Sequence, residues 1–202
     1  MNTYLYDYGD KLYINLTNKC SNACVFCVRN MSEGVGGNNL WLQKEPSSEE
    51  IIEELKNRDL SGYTEFVFCG FGEPLFAFDK IVEIGGFLRK AGKKVRLNTN
   101  GQADLIVGRN AAERLEDAVD TVSISLNASD AKKYNEICEC AYGEDGFFSM
   151  LRFAKECVGR VKRVIFSVVN TIGEDEIKRC EKIAADIGAE FRVRKYDVYA
   201  SR

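Results

Sequence analysis

Apolar residues recur along this chain in two rhythms. Residues 3–8 place Tyr4, Tyr6 and Tyr8 at every second position, Gly9-Asp10 interrupts, and residues 11–16 resume the period around Leu12, Ile14 and Leu16. A period of two belongs to a strand with unlike faces, so this opening predicts a β-hairpin that runs into a first core strand. Ser47-Ser48-Glu49-Glu50 then supplies a cap and first-turn acids for a helix carrying Ile51, Ile52 and Leu55, and residues 65–69 form a short apolar strand. Further strands at 94–98, 121–126, 163–169 and 190–196 alternate with helical segments near 81–89, 111–117, 130–138, 146–158 and 174–187. Strands separated by helices pair in parallel through right-handed crossovers. About six strand-helix units fall short of the eight of a closed barrel. The expectation is an α/β fold, a partial (β/α)6 TIM-like barrel with an N-terminal β-hairpin, built as a single domain over residues 1–202. In such folds the loops at the carboxyl ends of the strands carry function. Residues 17–30 form a cysteine-rich loop, and residues 31–46, dotted with Gly34, Gly36, Gly37 and Trp41, predict a mobile lid.

Composition changes the picture by exclusion. Hydrophobic residues make up 45% of 202, enough for a packed core, and no apolar run reaches the roughly 18 residues of a membrane helix. With 28 Lys and Arg against 31 Asp and Glu the net charge is -3, so no global basic field exists to hold nucleic acid or anionic lipid. Histidine is absent, which removes the commonest neutral-pH base, the Ser-His and Cys-His pairs and the commonest zinc ligand. Eight cysteines are too dilute for a disulfide scaffold, and residues 1–8 lack a basic segment followed by an apolar one, so a reduced, cytoplasmic protein is expected.

The sharpest chemical signal is Cys20-Ser-Asn-Ala-Cys24-Val-Phe-Cys27, directly after the first core strand. Four thiolates normally hold a 4Fe-4S cluster, so three closely spaced ones leave one iron open to a substrate or cofactor. A zinc knuckle completed by a distant thiol such as Cys69, or a set of buried thiols, is the plainer reading of the same residues.

This Cys-x3-Cys-x2-Cys loop after the first strand of a strand-helix repeat resembles the radical S-adenosylmethionine (SAM) superfamily, and further motifs agree in order from residue 11 to 196. Gly70-Phe71-Gly72-Glu73-Pro74 is similar to that superfamily's Gly-Gly-Glu-Pro motif, with the glycine pair split by Phe71; the resemblance implies contact with the SAM amino group. Glycine lets backbone carbonyls approach an ammonium, Glu73 adds charge and Pro74 fixes the turn. Asn98 and Asn100, in Leu97-Asn98-Thr99-Asn100-Gly101, resemble the segment used near the ribose and methionine carboxylate, and Ser125 and Asn127 occupy the next strand end. Cap and turn chemistry is the alternative for both segments. The resemblance also implies an aromatic role beside the adenine for Phe26 and backbone contacts from Val168 and Val169. The run before the cysteines (Tyr-Gly-Asp-Lys-Leu-Tyr-Ile-Asn-Leu-Thr-Asn), the segment from Gly34 to Leu42 and the ending Arg192-Val193-Arg194 look like the TatD-associated radical SAM proteins, a context label that says little of substrate.

The resemblance implies a 4Fe-4S cluster on Cys20, Cys24 and Cys27 that passes one electron to bound SAM. Methionine and a 5'-deoxyadenosyl radical result, and the radical abstracts hydrogen from an unknown substrate. It also implies an electron donor such as flavodoxin or ferredoxin. A glycyl-radical-type activase acting on a partner protein is one alternative, and a non-catalytic cysteine-metal or electron-transfer module is another. Cys69, Cys138, Cys140, Cys157 and Cys180 read as buried or incidental thiols, which leaves one cluster. Arg192, Arg194 and Lys195, with Arg29 beside the cysteine loop, would bring positive charge to the open mouth for the cofactor carboxylate or an anionic substrate, unless they form a solvated strand end. The Tyr4, Tyr6 and Tyr8 stripe reads as core or edge packing.

Overall fold

The computed structural model describes residues 2–30, 34–108 and 110–195. Its strands are β1 (Leu5–Tyr8), β2 (Lys11–Ile14), β3 (Gly34–Val35), β4 (Asn38–Asn39), β5 (Glu65–Phe68), β6 (Val95–Thr99), β7 (Thr121–Ser125), β8 (Arg163–Val169) and β9 (Glu190–Arg194). Seven of them form one sheet in the order β1-β2-β5-β6-β7-β8-β9. Only the β1-β2 hairpin is antiparallel; every other neighbour is parallel. The crossovers run through α1 (Ser48–Lys56), α2 (Phe78–Lys90), α3 (Ala103–Ile106), α4 (Ala111–Leu115), α5 (Ala131–Cys138), α6 (Asp145–Cys157) and α7 (Glu174–Ile187). β1 and β9 are the two edges of an open sheet, as expected of a partial barrel with six parallel strands.

The period-two pattern works as a sorting device. Leu12, Ile14, Phe66, Phe68, Val95, Leu97, Val122, Ile124, Val164, Phe166 and Val168 point outward into one apolar core shared with Ile51, Leu55, Ile81, Ile84, Leu88, Met150 and Phe153 of the helices. The alternate positions face the concave side, and many are polar: Arg96, Asn98, Ser123, Ser125, Ser167, Arg192 and Arg194. Parallel sheets are commonly apolar on both faces, so a polar inner face marks a surface built for a ligand. Helix starts follow local chemistry as well. Ser47 caps α1 in a reciprocal box, its Oγ accepting from Glu50 N (3.2 Å) while its own N donates to Glu50 Oε2 (2.7 Å).

Two expectations change. The segment read as a mobile lid is, over its described residues from Gly34 onward, docked on the barrel. Gly36 and Gly37 both take positive φ (59° and 79°) in a two-residue turn that pairs β3 with β4, a conformation that favours glycine at both positions. Leu40 and Leu42 are then buried, and Asn15 Nδ2 donates to Leu40 O (2.8 Å) while Asn18 Nδ2 donates to Leu42 O (2.7 Å). The helix expected over 111–117 is shorter and is preceded by α3, whose four residues are too few to show a helical period. Of the last strand, Tyr196 lies outside the described residues, as do residues 31–33 of the expected lid. The tyrosine stripe is edge packing as read: Tyr6 is buried against Tyr13 (ring centroids 5.2 Å apart) and Tyr8 is exposed.

Core and cap make separable contributions. Ile81 of α2 is fully buried, so Ile81→Ala is expected to cost about 2–5 kcal/mol in urea unfolding, through lost transfer energy and a residual cavity. Ser47→Ala removes only the cap and is expected to cost about 1 kcal/mol.

Candidate cluster and cofactor site

The cysteine loop leaves β2 and has no helix or strand until the short 3-10 turn Val28–Asn30 that follows its last cysteine, yet its course is fixed on two sides. The end of α5 and the segment after it lie beside it: Ala23 N donates to Cys138 O (2.9 Å), Val25 N to Ile137 O (3.0 Å) and Ala141 N to Ser21 O (2.8 Å). The residues after β6 hold its side chains. Ser21 Oγ donates to Gln102 Oε1 (2.6 Å) and accepts from Asn100 Nδ2 (2.8 Å). Gln102 Nε2 donates to Asn22 Oδ1 (2.8 Å) and Tyr134 OH (2.9 Å), and Asn22 Nδ2 donates to the same phenol (3.0 Å). Arg29, expected to charge the mouth, instead donates to Asn22 O (2.9 Å) and closes the loop on itself. Gln102 and Tyr134, both fully buried, are residues the sequence reading missed. The signal available was the amide at 102, two residues past the Asn98-Thr99-Asn100 run, in a position where burial demands partners.

All eight cysteines are free, and those at 20, 24 and 27 are half-buried. Burial pushes the Cys20 thiol up to about 11 and raises Cys27 as well. Cys24 is raised by its hydrogen bond to Cys138 and by burial. Bare thiolates are therefore unfavourable here, and the ionised form that ligates metal needs a compensating positive charge. Among the described residues no three His, Cys, Asp or Glu side chains converge as they would around a single ion. A four-iron cluster places each thiolate on a separate iron, so its ligands stand further apart. Cys138 and Cys140 are buried, as expected, and have partners: Cys138 touches Cys24 and accepts from Asn127 Nδ2 (3.5 Å), and Cys140 accepts from Gln102 Nε2 (3.2 Å). Cys157 and Cys180 are core thiols.

Beyond β5, Glu73 is the hinge of the site. Its backbone N donates to Lys19 O (2.7 Å), next to the first cysteine. Its carboxylate is buried and accepts from Leu75 N (3.1 Å), Thr99 Oγ1 (2.7 Å) and Asn100 N (2.6 Å). Burial outweighs those three donors and lifts its pKa to about 7. Pro74 opens the short 3-10 turn Pro74–Ala77 that Glu73 caps. The two glycines serve loop packing: a Cβ on Gly70 would stand 1.9 Å from Asn15 Oδ1, and one on Gly72 2.3 Å from Thr17 O. Phe71, expected at the cofactor, turns its ring into a small apolar cluster with Tyr6 and Leu40, edge-on to Trp41 (centroids 5.1 Å). This is the physical reason for the split glycine pair: the docked segment needs an aromatic anchor on the barrel.

The other expected contacts divide. Asn100 spends its side chain as a strut to Ser21 and Gln102. Asn98 reaches Cys69, and its Oδ1 is buried without a partner among the described residues; so is Oδ1 of Asn127, which sits at a left-handed φ of 59° at the end of β7. Unpaired buried acceptors and a non-glycine residue at positive φ mark a place where structure awaits a donor. Ser125 is half-buried on the inner face, level with Ser167, and Val169 is buried opposite Arg194. Phe26 borders a cavity of about 670 Å³ between the cysteine loop, α5 and the start of α7, with Val25, Ile137 and Ile172 as apolar walls. Donor-seeking amides, a buried carboxylate and three metal-seeking thiols fit a cationic amino-acid-nucleoside beside an iron-sulfur cluster.

Two outcomes follow from this geometry. Because folding raises the Glu73 pKa from 4.5 to about 7, its protonated form favours the fold; the contribution is whole below pH 4.5 and is lost as pH rises through 7. Unfolding free energy of the cofactor-free protein is expected to fall by roughly 3 kcal/mol across that window, and Glu73→Gln is expected to flatten the slope in urea titrations at pH 5 to 8. Gln102→Ala leaves Ser21 and Asn22 short of partners inside the protein, and is expected to cost about 1–3 kcal/mol per orphaned group in the same assay.

Comparison with known proteins agrees with this geometry. Residues 14–184 match the family described as the Radical SAM superfamily. The probable GTP 3',8-cyclase of Methanocaldococcus jannaschii is 33% identical over 127 residues, 62% of this chain and 39% of that protein. The probable GTP 3',8-cyclase of Methanocella arvoryzae is 26% identical over 170 residues, 83% of this chain and 50% of its own. The chain thus spans half or less of the length of the curated relatives it matches. The crystal structure of SuiB from Streptococcus suis superposes with a TM-score of 0.72 at 19% identity, covering 94% of this chain and 40% of that one, a likeness of fold. With a match over most of its length and an open parallel barrel whose first loop carries the three thiols, the chain belongs to the radical SAM superfamily, and its cofactors are a 4Fe-4S cluster and S-adenosylmethionine.

Proposed function

We propose that this chain is a radical SAM enzyme whose Cys20, Cys24 and Cys27 ligate the cluster and whose Glu73, Asn98, Asn127, Ser125, Phe26 and Val169 surround SAM. The observation that carries this reading is the cysteine loop itself, three free thiols on a segment immobilised by buried hydrogen bonds from Asn100, Gln102 and Tyr134. When bound, the cluster and SAM supply one-electron cleavage of the sulfonium carbon-sulfur bond and, through it, hydrogen abstraction from a substrate. The protein's share is placement. Glu73 offers buried negative charge to an ammonium group, and such a partner would draw its pKa back down. Asn98 and Asn127 offer unpaired amide oxygens to ammonium or hydroxyl donors. Phe26, at the rim of its cavity, offers a ring face to the adenine. Gly70, Phe71 and Gly72 contribute the backbone course between β5 and Glu73, Pro74 opens the turn after it, and Asn100 holds that course to the cluster loop.

An external one-electron donor of the flavodoxin or ferredoxin type completes the system, and a reducing, cytoplasmic setting suits three unprotected cluster ligands. No helix among the described residues is long and apolar enough to cross a membrane. The ending Arg192-Val193-Arg194 and the Gly34 to Leu42 segment support a place among the TatD-associated members. The names of the curated relatives bring a nucleotide forward as one substrate candidate.

The test is anaerobic reconstitution with iron and sulfide, reduction, and an assay for 5'-deoxyadenosine after addition of SAM. Wild type is expected to form the nucleoside, and Cys20→Ala, Cys24→Ala and Cys27→Ala each to lose it with the cluster. A zinc-only protein, or a cluster whose spectrum ignores SAM, overturns the reading. Asn127→Gly, which keeps the positive φ, is expected to retain the cluster and weaken SAM binding about tenfold, the value of one hydrogen bond to a charged group.

A further inference from the structure

The inner face of β9 carries charge that no ion pair among the described residues balances. Arg192 and Arg194 stand two residues apart on one face, and among the described residues neither side chain has an ion pair or hydrogen bond. The acids within reach are taken. Glu65 is shared by Lys11 (2.9 Å) and Arg96 (3.3 Å), and Glu190 holds Arg163 through two bonds of 2.8 and 2.6 Å. Among the described residues five cations thus meet two carboxylates on this wall, in a chain whose net charge is -3. Arg96 adds a second, independent sign: it is 7% exposed, and its Nε is buried with no partner. A buried unpaired donor of a charged group is costly unless an acceptor arrives.

The register shows what kind of acceptor. Ser125, Ser167 and Arg192 are aligned across β7, β8 and β9, a row of two hydroxyls and a guanidinium on the concave face. Below it a cavity of about 260 Å³ is lined by Lys11, Arg96, Arg163 and Arg192 together with the two paired carboxylates, Glu65 and Glu190. Arg194 lies higher, near enough to Cys24 and Cys69 for its charge to act on both. The wall therefore runs from beside the cluster loop down into the barrel.

We propose that Arg192 and Arg194, with Arg96 behind them, bind a carboxylate or phosphate group of the substrate and orient the rest of it toward the cluster loop. The proposal deepens the radical SAM reading and rests on it for the word substrate. Guanidinium groups suit such oxyanions because their parallel N–H pairs match two oxygens at once. Arg192 is level with Ser125 and Ser167 in register but shares the lower cavity with Arg96, near the start of β6, and that cavity favours a substrate anion over the SAM carboxylate, which belongs with the amides beyond β6 and β7.

The experiment measures binding of inorganic phosphate and of succinate to the cluster-loaded protein, by calorimetry and thermal shift, beside binding of SAM. Wild type is expected to bind at least one of the two anions, more weakly as salt rises. Arg192→Ala and Arg194→Ala together are expected to weaken that binding by tenfold or more, with Arg192→Lys recovering part of it, and to lose far less affinity for SAM. Both side chains are exposed, so the variants are expected to fold, and near-ultraviolet circular dichroism checks this. Arg114→Ala, which removes an exposed arginine paired with Asp79 away from this wall, is the control for general loss of charge. Three results overturn the proposal: no anion binding by wild type, anion binding unchanged in the double variant, or an equal loss for SAM, which would assign the arginines to the cofactor. A protein that binds these anions but forms no 5'-deoxyadenosine with SAM would retain the anion wall and lose the enzymatic reading.

Discussion

A loop that must hold three thiols in fixed relation, with no helix or strand through the cysteines themselves, needs its polar groups satisfied from elsewhere. Here the supply is one buried network. It runs from Lys19 O through Glu73 to Thr99 and Asn100, from Asn100 to Ser21 and Gln102, and from Gln102 to Asn22 and Tyr134. Four separate stretches of chain meet in it: the loop after β2, the loop after β5, the loop after β6 and α5. Such networks are worth more together than singly, because each bond orients the next in a medium of low dielectric. The same property makes them intolerant of loss, since any one deletion leaves its neighbours buried and unpaired. The placement of every other functional group is referred to this frame.

Surrounding the frame, the sheet divides labour between its faces. The outward positions build the core with the helices and supply the burial that stabilises the fold. The inward positions give up some of that burial for hydroxyls, amides and arginines. Costs accumulate there: a carboxyl raised to about 7, thiols raised by burial, and unpaired atoms on Arg96, Asn98 and Asn127. They gather in the concavity and at the ends of its strands. A sheet open between β1 and β9 allows this, because the inner face remains reachable by ligands while the outer face stays dry.

Local pattern in the sequence carried most of the architecture. Alternation located all six parallel strands to within about two residues, and α7 and β8 agree with their predicted bounds, because each buries one face against a continuous core. The spacing of Cys20, Cys24 and Cys27 and the order of the strand-end motifs were equally legible. What the sequence hid was non-local. Nothing near residue 102 or 134 announces that their side chains meet Asn22 across eighty and more than a hundred residues of chain. Phe71 looked like part of a ligand motif until Tyr6 and Leu40 were seen to enclose it. Glycines at 34, 36 and 37 suggested freedom, but two of them build a turn and the leucines beyond it dock. Asn100 has the same chemistry whether it holds a ligand or a loop; only its partners distinguish the two.

These unmet costs also couple cofactor binding to folding. The cofactor-free protein holds Glu73 partly protonated near neutral pH, keeps its cluster thiols protonated and leaves two strand-end amide oxygens without donors. Each is relieved by charge or donors of the opposite sense: iron for the thiols, an ammonium for the carboxylate, and hydroxyl or amine donors for the amides. Ligands that bind only the folded state stabilise it by mass action. Since the network ties Glu73 to the loop of Cys20 through Lys19 and Ser21, relief at one point does not stay local. Deprotonating Glu73 beside a cation strengthens its hold on Asn100, and Asn100 in turn holds Ser21 next to the first cysteine. Cluster and SAM sites joined by so few rigid bonds will each be better ordered when the other is filled, without any change of fold.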